Sequence, residues 1–179
     1  MEFEKTELVI TEKQLNLFAL IAFVGIFLLF YLPFGLFWGF AQTFLGFKLM
    51  IKHLLIWLIP MIIIHEGLHG LFWALALNGN FKQIKFGFNK RMLAPYTHCK
   101  VSLTKKSYLM GGLAPLFFLG IIPAIVSFIT GNAYIFSLAL VCIWTSCGDI
   151  LSCFHLIKTH NTFKVQDHPD KLGFILVKD

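Results

Sequence analysis

Carboxylates are scarce in this chain of 179 residues: between Glu12 and Asp167 there are only two, Glu66 and Asp149. Charged residues of both signs make up 13% of the sequence against 58% hydrophobic ones, a balance that excludes an ordinary soluble globule. The four cysteines, Cys99, Cys142, Cys147 and Cys153, show no CxxC spacing. A disulfide framework is therefore not expected, and they read as small packing residues. No repeat, low-complexity tract or flexible linker divides the chain, which predicts one domain over residues 1–179. Met1 to Gln14 lack a basic segment and a small-residue cleavage pattern, so a cleaved signal peptide is not expected.

What is abundant is long apolar sequence. Four stretches, Leu15 to about Phe44, His53 to about Leu77, about Leu109 to Thr130 and about Ala133 to Leu156, approach or exceed the roughly 20 residues that cross a hydrocarbon core as a helix. The expected fold is an all-α integral membrane protein with four transmembrane helices. Pro33 and Gly35 near the middle of the first stretch predict a kink, a strong tilt or a break into two pieces. Gly111, Gly112, Pro115, Gly120 and Pro123 mark the third as an irregular helix packed closely in the bundle. Between the second and third stretches, "IKFGF" alternates apolar and other residues and "YTHCKVSL" is rich in β-formers. They read as two short strands, a hairpin-like loop, with a solvated loop as the alternative. The tail carries "DHPDKLG" as a turn between "FKV" and "FILV", a second hairpin that would lie against the middle loop.

Four spans put the amino end, the middle loop and the tail on one side. That side carries 13 of the 15 lysines and arginines, leaving Lys48 and Lys52 on the other. By the positive-inside bias the basic side, with both termini and the hairpin loop, is cytoplasmic, in a multi-pass protein of the cell membrane. The net charge of +6 then reads as a signal of topology and anionic lipid, with the bilayer as partner and no nucleic acid.

Both isolated carboxylates fall inside predicted spans, where a charge costs a few kcal/mol and faces the protein interior with a partner. Glu66 sits in His65-Glu66-Gly67-Leu68-His69, an H-E-x-x-H pattern. On a helix, residues four apart project from one face. His65 and His69 can thus grip one metal ion, with Glu66 beside them to take a proton from water. A chance match in this composition has a probability on the order of one per cent. Catalytic zinc takes three protein ligands, so a third is needed. At about 1.5 Å per residue, His65 and His69 lie about 18 to 24 Å along their helix from His53, and Asp149 about 24 Å along its own from Ala133. Asp149 shares a polar stripe with Cys142, Ser146, Ser152 and Cys153. It is the preferred third ligand; His98 and Cys99 compete from the loop, and His155 is a weaker donor six residues from Asp149.

"HEGLHG", "IKFGF", "APYTHCKVSL", "GGLAP" and "CGDILSCFHLIK" together resemble the membrane zincin peptidases, a family long known only as a domain of unknown function. The likeness runs from about Pro60 to the carboxyl end. The arrangement is also similar to the site-two protease class. That resemblance implies one bound zinc ion, His65, His69 and Asp149 as its ligands, and Glu66 as general base; the leading expectation is a zinc-dependent intramembrane protease acting on a membrane-anchored protein or peptide. One departure is that Asp149 is followed by Ile150, where the site-two class often has glycine; here a glycine, Gly148, precedes it. The rival readings are a non-catalytic membrane metal-binding protein acting as transporter, sensor or degenerate protease scaffold, and a structural bundle with a metal-free His-Glu-His network.

Overall fold

A computed structural model describes residues 5–89, 94–160, 163–168 and 171–178. The chain opens with strand β1 (Lys5–Val9) and turns at once into helix α1 (Glu12–Trp38). A reciprocal cap starts that helix: the Thr11 hydroxyl accepts from the Gln14 amide, and the Gln14 side-chain oxygen accepts from the Thr11 amide. Pro33 does not break it. The turn before it, Phe27–Tyr31, widens into a π-helix, which gives the proline ring room against the preceding backbone.

The break comes instead at Gly39, whose φ of +96° is closed to residues with a β-carbon. Helix α2 (Phe40–Lys52) follows, then α3 (Leu54–Ala76). The first apolar stretch, expected to run from Leu15 to Phe44, is therefore a long helix ending at Trp38 plus part of a separate helix. The third stretch forms α4 (Lys105–Thr130), the most buried of the three long helices, with a π segment at Leu116–Ile121 ahead of Pro123. The fourth is not straight either. Helices α5 (Ala133–Thr145) and α6 (Cys147–Ile157) meet at a 48° bend. At the bend, the hydroxyls of Thr145 and Ser146 both donate to the Cys142 carbonyl, a back-bonding that bends helices. Among the described residues three helices, or four if the bent pair counts as one span, are long and apolar enough to cross a membrane. Their outer faces are strongly apolar, with Phe37 76% and Leu55 82% exposed.

The expectation of an all-α fold needs correcting, because the described residues form two antiparallel sheets beside the helices. The expected hairpin exists as β2 (Ile84–Asn89) paired with β3 (Ala94–Cys99); part of its connection, residues 90–93, lies outside the described residues. A second sheet combines β1, β4 (Leu103–Thr104), β5 (Phe163–Asp167) and β6 (Gly173–Lys178) in the order β1-β6-β5-β4. The tail hairpin thus forms against the middle loop as expected, through β4; residues 169–170 of its turn are outside the described residues. Amino end, middle loop and tail consequently meet at one end of the bundle.

The largest buried cluster sits at that end. Trp73, Ala74, Tyr108 and Leu156 from the helices pack against Ile84, Cys99, Leu103, Val165 and Phe174 from the strands. Farther along the bundle, Phe34 of α1 stacks on Phe136 of α5 at 3.9 Å between ring centres, and Ala124, Ala139 and Ile143 join α4 to α5.

Candidate metal centre

The H-E-x-x-H segment lies in the second half of α3. Four-residue spacing brings the two imidazoles together, and their Nε2 atoms are 3.2 Å apart. The bend at Ser146 places Asp149 in the first turn of α6, where its carboxylate meets both rings. Its Oδ2 is 3.3 Å from His65 Nε2 and its Oδ1 3.5 Å from His69 Nε2. Glu66 lines the same cleft.

These distances test whether a metal fits. Bonds of about 2.0 to 2.1 Å in a tetrahedron put neighbouring donor atoms about 3.3 Å apart. The two nitrogens at 3.2 Å, and each nitrogen with one of the two Asp149 oxygens at 3.3 or 3.5 Å, lie close to that value, and two imidazoles with a carboxylate are a donor set suited to zinc. Among the described residues this is the one group of three His, Cys, Asp or Glu side chains close enough to share an ion.

The His69 ring is also held in the right tautomer. His69 Nδ1 lies 2.9 Å from the Gly111 carbonyl of α4. A carbonyl only accepts, so Nδ1 carries the proton and Nε2 presents its lone pair to the centre. Behind it, His69 stacks on Trp73, Trp73 stacks on Tyr108, and the Trp73 indole donates to the Tyr108 carbonyl. The backbone carbonyl of Glu66 accepts from the Thr97 hydroxyl at 2.8 Å, which ties the motif to β3. A glycine is required at 111, because a β-carbon there would run into the Trp73 ring. Gly111→Ala is expected to displace Trp73 and loosen His69, weakening metal binding about 10- to 100-fold, the usual cost of disturbing an outer-shell support. Metal titration of the purified protein measures this.

The competing donors are engaged elsewhere. His98 Nδ1 is 3.1 Å from Asp167 Oδ2, Asp167 also accepts from the Tyr108 hydroxyl, and His155 Nδ1 donates to the Leu151 carbonyl of its own helix. Cys99 is buried and donates to the Val101 carbonyl; burial pushes its thiol pKa up, away from the thiolate that a metal needs. Sequence reasoning missed Gly111, Thr97, Tyr108 and Asp167 as supports. Gly111 stood out only as a small packing residue, and a backbone acceptor leaves no side-chain signal.

The cleft has a volume of about 570 Å³ and is walled by more than the bundle. Leu15 and Asn16 of α1, Pro95, Tyr96 and Thr97 of β3, and Asp167, Leu172 and Gly173 of the tail all line it.

Residues 58–163, more than half of the chain, match the family described as "Putative zincin peptidase". The chain belongs to that family. The match takes in all four residues of the centre and all of the β2–β3 hairpin, and it stops at the first residue of β5, so most of the tail hairpin and all of α1 lie beyond it. Membership in a zincin family implies a zinc-dependent peptidase, which agrees with the donor set that His65, His69 and Asp149 present. No curated protein and no solved structure matches the chain.

Proposed function

We propose that this zincin-family protein is an intramembrane metalloendopeptidase that hydrolyses peptide bonds of membrane-anchored substrates. One observation carries the reading: His65, His69 and Asp149 converge at tetrahedral spacing with Glu66 in the same cleft, on helices whose exteriors are apolar. Zinc, when bound there, supplies a Lewis acid that polarises the scissile carbonyl and makes water acidic near pH 7. Glu66 accepts the proton of the attacking water and delivers it to the departing amine. Plain metal storage or transport has no use for that carboxylate. His69 is held by the Gly111 carbonyl and Asp149 by the helix that starts at the Ser146 bend, which limits their reorganisation during the reaction.

Substrate enters extended. Among the described residues β3 pairs only with β2, and its Pro95–Thr97 segment borders the cleft. An unwound substrate segment adds to the free edge of β3, which exposes its peptide bonds beside the metal centre. The basic end of the bundle, with both sheets, faces the cytoplasm by its lysines. The test is cleavage of membrane peptides by the full-length protein in lipid nanodiscs. Activity is expected to vanish with a zinc chelator and return with added zinc. A preparation that carries one tight zinc and cleaves no peptide in a broad membrane-peptide screen would favour a non-catalytic metal-binding protein instead.

A further inference from the structure

A second cavity, of about 780 Å³, shares no lining residue with the metal cleft. It is a groove along α4, floored by Leu109, Leu113, Phe117 and Ile122 and flanked by Phe72 of α3, whose ring meets Phe118 at 5.4 Å. From Leu109 to Ile122 it runs about 20 Å at the rise of an α-helix, more than half of a roughly 30 Å hydrocarbon core. Only its mouth is polar, where Thr104, Lys105 and Lys106 begin the helix.

Two lysines in a first turn oppose the helix dipole, since the free amides there already present positive charge. The Lys105 ammonium is occupied by the carbonyls of Ile157 and Thr159 at 2.9 and 2.7 Å. Lys106 is exposed and has no hydrogen-bond or ion-pair partner among the described residues. Among the described residues no carboxylate lines the groove. What completes this surface is an anion joined to a long apolar chain.

We propose that the groove binds one anionic glycerophospholipid, with an acyl chain over Leu109, Leu113 and Phe117 and the phosphate at Lys106. The site sits at the sheet end of α4, directly after β4, so it draws lipid from the leaflet on that side. Binding is read without reference to proteolysis.

Native mass spectrometry of the full-length protein, released from mixed micelles with equal phosphatidylglycerol and phosphatidylcholine, counts the lipid retained. The parent protein is expected to keep one phosphatidylglycerol in clear preference. Lys106→Gln, an exposed change that leaves the fold intact, should cut that preference roughly fivefold, the worth of one lysine near an anionic surface. Leu113→Trp, which fills the groove, should release both lipids. Equal retention of the two lipids by the parent, or unchanged preference in Lys106→Gln, overturns the proposal. So does a photoreactive group at Met110 that crosslinks to a second copy or to a peptide rather than to lipid.

Discussion

Replacing Glu66 with Gln is expected to lower peptide hydrolysis about 10²- to 10⁴-fold, the range in which a positioned general base contributes, while metal content stays unchanged. Glutamine has the same shape and reaches the same part of the cleft, but it cannot take a proton from water. The ligands His65, His69 and Asp149 are untouched, and so is the Thr97 bond, because it goes to the backbone carbonyl at position 66. Elemental analysis beside a cleavage assay separates the two effects. Equal proteolysis by the variant and the parent protein would sink the proposed mechanism. Loss of metal together with activity would instead make Glu66 part of the ligand shell.

The centre was legible in the sequence because its ingredients are costly there. A glutamate and an aspartate inside apolar stretches demand partners, and four-residue spacing fixes the face on which two histidines project. Matching the depth of Asp149 with that of the histidines paired the right helices, and the structure brings their donor atoms to 3.3 and 3.5 Å. The match held although one assumption behind it failed. A straight fourth helix was assumed, and the chain bends by 48° at Ser146. The alternation in "IKFGF" likewise gave β2, since a strand's period of two shows in six residues.

What escaped has physical causes as well. Hydropathy barely changes across Trp38-Gly39-Phe40, so the end of α1 is marked only by a backbone angle, whereas Pro33, the more obvious breaker, is absorbed by a π turn. Strand β1 is five residues long, and its partner, from Gly173 to Val177, sits at the far end of the chain. No local pattern announces a pairing at such separation. Its presence matters for function, because β1 and β6 complete the sheet whose neighbouring tail residues Asp167, Leu172 and Gly173 close the cleft.

Asp149→Ala should cost the protein its metal. Apparent zinc-binding free energies of about 10 to 16 kcal/mol, spread over three or four ligands, assign about 2.5 to 5 kcal/mol to each. Removing one therefore weakens binding several hundredfold, and activity falls with occupancy at limiting zinc. His98→Ala and Cys99→Ser, by contrast, should leave affinity within a few-fold of the parent. His98 is paired with Asp167, and the Cys99 thiol is buried against Val101 with its pKa raised. Isothermal titration with zinc on the three variants discriminates them directly. The bend offers a further test, because Asp149 meets the histidines from the first turn of α6, just past the 48° bend. Replacing Thr145 and Ser146 with alanine removes both hydroxyls that bond the Cys142 carbonyl. A straighter helix would carry Asp149 away from His65 and His69, so this double variant should lose metal affinity in the same direction as Asp149→Ala, with every ligand still in place.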